Sequence, residues 1–248
     1  MEEEKQIAPT TVRDVAHKAG FKAYRPLAKP PLTDIQMGQR LDFAENLEER
    51  TMNFWRHVIF MDETFVRLHP KDSRERVWRQ EGERIDPQHL VPSIKYGGGG
   101  VMFWGCVSWA GVGPLVYIDE RLDGDLYGQI LMDNIPQVKD VLGIRAAYIV
   151  EDGARIHSTP EVLDIKEFLN LRDLNLPPYS PDLNVIESAW NILKMRITER
   201  GPETLEELVA VALEEWDQIT LEEIRNLFYS MPHRLSDVID RGGGHTKY

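Results

Sequence analysis

Two short apolar runs constrain this chain more than any other feature. His57–Met61 reads HVIFM and stops on Asp62; Ala146–Val150 reads AAYIV and stops on Glu151 and Asp152. Runs this short, rich in β-favouring residues, predict buried strands. A carboxylate buried without a partner costs several kcal/mol. A strand that ends on acid therefore needs a reason.

The remaining segments predict what covers those strands. RERVWRQ, VMFWGCVSW, PLVYID and LRDLNLP read as further strands, with SIKYGGGG as a flexible turn. TTVRDVAHKAGF reads as a short helix capped by Thr10 or Thr11 and stopped by Gly20. DIQMGQRLDFAENLEERT, DGDLYGQILMDNIPQVKDVL and TPEVLDIKEFLN have helical spacing. SPDLNVIESAWNILKMRITER predicts a strong helix, with Ser180 as N-cap, Pro181 at the first position and an apolar stripe of Leu183, Ile186, Trp190, Leu193 and Ile197. Two more amphipathic helices are expected over 205–216 and 221–229. Strands first, then strands alternating with helices, predict one mixed α/β sheet covered by helices. In such sheets chemistry gathers at strand ends and in the loops beyond them.

Three carboxylates fit that description. Asp62 and Asp152 end strands, and Glu187 lies early in the helix that follows LPPYSPD. If the two strands are neighbours, Asp62 and Asp152 come together and the helix can bring Glu187 over them. Such a group repels itself unless protons or a cation intervene. Hard divalent ions with oxygen ligands suit it, and an ion pair about 3.5–4 Å apart can activate a water or a 3′-hydroxyl. Strand-end acids also commonly cap turns or meet solvent, so spacing alone leaves both readings open.

The totals exclude several classes. No apolar run approaches a membrane span. The acidic start has no apolar core, so it is not a secretory signal. The single cysteine, Cys106, allows no disulfide framework or cysteine zinc site and suits a reducing compartment, cytosol or nucleus. A net charge of −12 argues against a nucleic-acid partner. The charge is uneven, however: Arg13, Lys18, Lys22, Arg25 and Lys29 face only Asp14 near the start. Gly97–Gly100 lacks the Lys-Ser/Thr pair and the helix of a phosphate loop. Disorder is expected only at MEEEK and at the GGGHTKY tail.

VIFMDET, VMFWGCVSWAGVGPLVYID, YIVEDGARIH, LPPYSPDLNVIESAWNILK and SMPHRLSDVIDRGGGHTKY together resemble the catalytic half of Tc/mariner-superfamily transposases of the Tc-like branch. The 34 residues between Asp152 and Glu187 match that branch. The resemblance implies an RNase H-like fold, with Asp62, Asp152 and Glu187 as an Asp–Asp–Glu triad holding two Mg2+ or Mn2+ ions. It implies cut-and-paste transposition: metal-dependent cleavage at the terminal inverted repeats of double-stranded DNA, then strand transfer to a TA target. It also implies a homodimer or larger assembly, acting in the nucleus.

The same resemblance assigns residues 1–31 to the end of a second helix-turn-helix plus a basic linker, 32–56 to a helical connector and 57–248 to the catalytic domain. Arg13, Lys18, Lys22 and Arg25 become candidate DNA contacts, against a plain solvated helix face. The first helix-turn-helix and most of the second are expected to be missing. Gly153 stands where the family has Asn, and Val185 where it has Pro. His157 matches a family histidine, either near the metal and scissile phosphate or simply polar at a helix start. Lys194 lies two turns after Glu187, facing phosphate or solvent. Trp190 is expected in the core. Glu151 is expected to face solvent or a neighbouring strand, because alternation sends it away from Asp152. Two other readings stay open: a decayed or co-opted remnant acting as a non-catalytic DNA-associated or assembly module, and a stand-alone RNase H-type nuclease.

Overall fold

The computed structural model describes residues 31–68 and 99–248, together with Asp14, Val15 and Lys18. Those three early residues are helical and exposed. Most of the first expected helix, RERVWRQ and most of SIKYGGGG lie outside the described residues, as do Arg13, Lys22 and Arg25. The chain divides into two units, Met1–Leu32 and Thr33–Tyr248.

Five strands form one mixed sheet in the order β3-β2-β1-β4-β5. They are β1 (Val58–Arg67), β2 (Gly100–Ser108), β3 (Gly111–Ile118), β4 (Ala147–Val150) and β5 (Leu171–Asp173). The first three pair antiparallel, whereas β4 runs parallel to both β1 and β5. Parallel pairing needs crossovers, and α3 (Gly124–Leu142) and α4 (Pro160–Phe168) lie on those connections. The other helices are α1 (Asp34–Glu48), α2 (Met52–Trp55), α5 (Ile186–Arg200), α6 (Leu205–Asp217), α7 (Leu221–Tyr229) and α8 (Met231–Asp240).

Period-two alternation divides the core between the faces. Val58 and Phe60 of β1, with Val150 of β4, belong to the cluster that holds Trp55, Trp190, Trp216 and Phe228 from α2, α5, α6 and α7. Ile59, Met61 and Ile149 belong to the cluster that holds Tyr127, Leu131 and Val162 from α3 and α4. Continued past the apolar residues, the alternation assigns Asp62 and Asp152 to the α5 face. Glu63 and Glu151 fall on the α3–α4 face.

Two expectations change. Ser180 does not cap α5. It precedes a short 3-10 turn, Pro181–Leu183, without a side-chain cap bond, and extended Asn184 (φ −105°, ψ 107°) separates that turn from the α-helix. The helix begins at Ile186, whose N–H lies 3.4 Å from the Asn184 side-chain oxygen. The apolar stripe from Leu183 to Ile197 is buried as expected.

The GGGHTKY tail is packed. Its Gly243 and Gly244 carbonyls accept hydrogen bonds from Arg40 at 2.8 and 3.1 Å, and Thr246 is buried. Gly243 has φ +86°, and a Cβ there would fall 1.9 Å from the Met37 carbonyl oxygen, so only glycine fits. Helix α8 carried no expectation. Its buried Met231, Arg234, Leu235 and Val238 pack it into the same face.

Candidate active site

The parallel register of β1 and β4 ends at Phe60 opposite Val150. Two residues further along each strand direction stand Asp62 and Asp152, so the register alone carries both acids to one edge. Asp62 is paired across β1–β2 with Gly105. A Cβ at Gly105 would meet the Trp190 ring at 2.6 Å. The glycine therefore lets α5 lie close against the sheet beside Asp62. Trp190 is buried and stacks on Trp216 at 4.8 Å, which anchors α5 as expected. Glu187, in the first turn of α5, is thereby held over the strand ends. Asp62, Asp152 and Glu187 line one cavity of about 460 Å³, along with Gly153, Tyr179 and Asn184.

The electrostatics are those of crowded acid. Asp62 is pushed up to about 8, by burial first, then by Glu187 and Glu63, with Asp152 adding to it; the Glu63 N–H, 2.8 Å from its Oδ1, works the other way. Burial also raises Glu187, with Asp152 contributing and Lys194 opposing. Lys194 is thus near enough to act on the triad, although it lines a separate groove with Phe65, Leu68 and Ile197. Asp152 behaves differently. The His157 hydrogen bond holds it below the usual carboxylate range, and the Ala154 N–H at 2.9 Å assists.

His157 and Glu151 depart from expectation. His157 belongs to a 3-10 turn, Arg155–Ser158, not to the helix that follows. Its ring is buried, with Nδ1 3.1 Å from Asp152 Oδ1 and Nε2 3.3 Å from Glu63 Oε1. Burial works against its charge, but these bonds and the charges of Glu151 and Glu63 prevail and raise it to about 10. Glu151 faces neither solvent nor a neighbouring strand. It is buried and pairs with Lys166 of α4, while its Oε2 accepts from the Tyr127 hydroxyl of α3 at 2.5 Å. The alternation that separates it from Asp152 sends it into the helical layer, where burial demands a partner.

The loop before α5 is clamped by a residue that sequence reasoning missed. Buried Arg40 of α1 makes a fork to Asp182, at 2.8 Å to Oδ1 and 2.7 Å to Oδ2, and bonds the Ser180 hydroxyl at 2.9 Å. The Thr246 N–H and hydroxyl complete Asp182, and Arg234 donates to its carbonyl at 2.7 Å. This explains the acid in SPDLN: it fastens the start of α5 to α1, α8 and the tail. At Gly153, a Cβ would meet nothing within 4 Å. Space does not require glycine there.

The profile of the DDE superfamily endonucleases matches residues 57–209, and a Tc3-type helix-turn-helix transposase profile matches residues 1–47. The chain belongs to the Tc/mariner transposases. The Tcb2 transposase of Caenorhabditis briggsae is 31% identical over 249 residues, covering 98% of this chain and 90% of that protein. The Tc1 transposase of Caenorhabditis elegans is 30% identical, covering 96% of this chain and 87% of that one. In fold, this transposase superposes on a pre-cleavage Mos1 transpososome with a TM-score of 0.83 at 18% identity, over 96% of this chain and 72% of that one. It superposes on the Mos1 catalytic domain with a TM-score of 0.69 at 17% identity, over 89% and 100%. The RNase H-like arrangement expected for the transposase is therefore the one found. Its class is a DNA endonuclease and strand transferase of cut-and-paste transposition.

Proposed function

We propose that this transposase cleaves double-stranded DNA at terminal inverted repeats and joins the freed ends to a TA target, with Asp62, Asp152 and Glu187 holding two Mg2+ or Mn2+ ions. The observation that carries the reading is the meeting of three carboxylates. The β1–β4 register and the first turn of α5 bring Asp62, Asp152 and Glu187 to one cavity, where burial and Glu187 push Asp62 up.

The donor set fits such ions: all three are hard oxygen ligands. As they stand, no three His, Cys, Asp or Glu side chains among the described residues close on one point. Asp152 is held toward His157 and Ala154, and Asp62 toward the Glu63 N–H. Rotation about side-chain bonds is what a shared ion requires. Bound divalent ions would supply an activated water or 3′-hydroxyl and a counter-charge for the leaving oxygen. The chain's own residues supply the rest. Asp62, Asp152 and Glu187 would hold the ions, Asp62 and Asp152 from the strand ends and Glu187 from the first turn of α5 above them. Solved Mos1 catalytic-domain structures carry Mg in one case and Mn in another, and Mos1 is also known in a paired-end complex with its left transposon end. These support the metal choice and a homodimer on paired DNA ends.

Lys18 is an exposed helical residue and serves as a DNA contact in this reading, with Arg13, Lys22 and Arg25. Lys194 and His157 act beside the triad. The site of action is the nucleus. The test is cleavage of a pre-nicked duplex carrying the element's terminal repeats, with Mg2+ or Mn2+. Wild type should cut and Asp152→Ala should not. Equal cutting by both would sink the assigned roles.

A further inference from the structure

Glu63 and Glu151 lie behind the triad, on the α3–α4 face, and the cleavage chemistry does not use them. They are joined by one buried chain of contacts. Lys166, only 6% exposed, pairs with Glu151 and donates a second bond to the His157 carbonyl at 2.8 Å. The Tyr127 ring lies 4.3 Å from the His157 ring while its hydroxyl holds Glu151. The His157 backbone is thus fixed from one side and its imidazole from the other. Nε2 faces Glu63 Oε1, and Nδ1 lies 3.1 Å from both Asp152 Oδ1 and the Asp152 carbonyl oxygen. Each of these oxygens can accept a hydrogen from the ring. At 3% exposure the imidazole is shielded from a phosphate in the cavity.

We propose that Glu151, Lys166 and His157 form a buried positioning relay that sets the direction of the Asp152 carboxylate and, through Glu63, ties it to the strand carrying Asp62. The proposal rests on the reading of Asp152 as a metal ligand. None of the three touches substrate or metal; they act through Asp152. Residues that orient a ligand typically change metal affinity about 10–100-fold. The pair Glu151–Lys166 sets the height of the Arg155–Ser158 turn, and the turn presents the imidazole.

The test is Mn2+ binding to the full chain, followed by electron paramagnetic resonance, with a thermal melt of each metal-free variant. His157→Leu should bind Mn2+ about 10-fold more weakly. His157→Asn, whose short amide can still donate toward Asp152, should recover most of that loss. His157→Gln, whose longer amide reaches toward Glu63, should not. The double variant Glu151→Gln with Lys166→Met removes the pair without leaving a lone buried charge, and should also weaken binding. If the leucine variant fails to fold, the Asn and Gln variants still decide the matter. Equal affinity in those two, or an unchanged affinity in the double variant, overturns the relay. Asp152→Asn separates the two levels. If it binds Mn2+ like wild type, the ligand reading itself falls and the relay with it. If it loses binding while the relay variants keep theirs, only the relay falls.

Discussion

The two faces of the sheet give their acids different partners. On the α5 face, Asp62, Asp152 and Glu187 crowd one cavity, and burial and mutual repulsion raise Asp62 and Glu187. On the α3–α4 face, Glu63 and Glu151 stand one residue away from the same aspartates and have partners: His157 for the first, Lys166 and Tyr127 for the second. A single residue, half a strand period, separates Asp62, raised by burial and its acidic neighbours, from Glu63, which faces His157. The first arrangement is chemistry held at a cost in stability. The second is scaffold.

Removing acid should therefore have opposite consequences on the two faces. The largest effect is expected on the α5 face: Asp62→Asn, Asp152→Asn or Glu187→Gln should each lower metal-dependent cleavage ~10³-fold or more, since members of a catalytic unit fail together. Metal-free Asp62→Asn should melt no lower than wild type, because it removes a repelled carboxylate. A cleavage assay paired with a thermal melt checks both halves.

The sequence made the first face legible and the second almost not at all. Strand runs ending on acid, and alternation, were enough to bring Asp62, Asp152 and Glu187 together, because register follows from hydrophobic pattern. The partners of Glu151 were not legible. Lys166 reads as an ordinary charge on an amphipathic helix, and only its packing against the strand end reveals the pair. Arg40 and Asp182 are 142 residues apart, with no spacing rule to connect them. The tail reads as disordered by composition, whereas its backbone carbonyls serve as acceptors for Arg40. At Ser180 the expected cap makes no side-chain cap bond; it precedes a turn only three residues long, and the helix starts after Asn184.

Structural pairs should show the next largest effects, and in stability. Arg40→Leu strands the buried Asp182 carboxylate and should cost about 3–5 kcal/mol of unfolding free energy. Lys166→Met alone strands Glu151 and should cost about 3 kcal/mol, the lower end because Tyr127 still donates. Urea unfolding of metal-free protein reads both.

The pH response sharpens the contrast at smaller amplitude. Asp62 is raised from the ordinary carboxylate value to about 8 in the folded chain. Its favourable contribution is complete below about pH 4 and is lost as pH rises through about 8. Metal-free protein should therefore melt lower at pH 9 than at pH 6, and Asp62→Asn should flatten that slope. An unaltered slope in the variant would place the titrating group elsewhere. The smallest effect is expected at Gly153→Asn. The added side chain meets no atom within 4 Å at its Cβ, so it should fold normally. An amide beside Asp152 should tighten Mn2+ binding a few-fold, measured by the same resonance titration.

The most direct measurement is the number of Mn2+ ions bound by the full chain, counted for one variant from each face. Wild type should bind two ions, the double variant Glu151→Gln with Lys166→Met two more weakly, and Asp62→Asn should lose binding. Two tightly bound ions in Asp62→Asn, or binding abolished only by the change on the α3–α4 face, would contradict the division between the two faces.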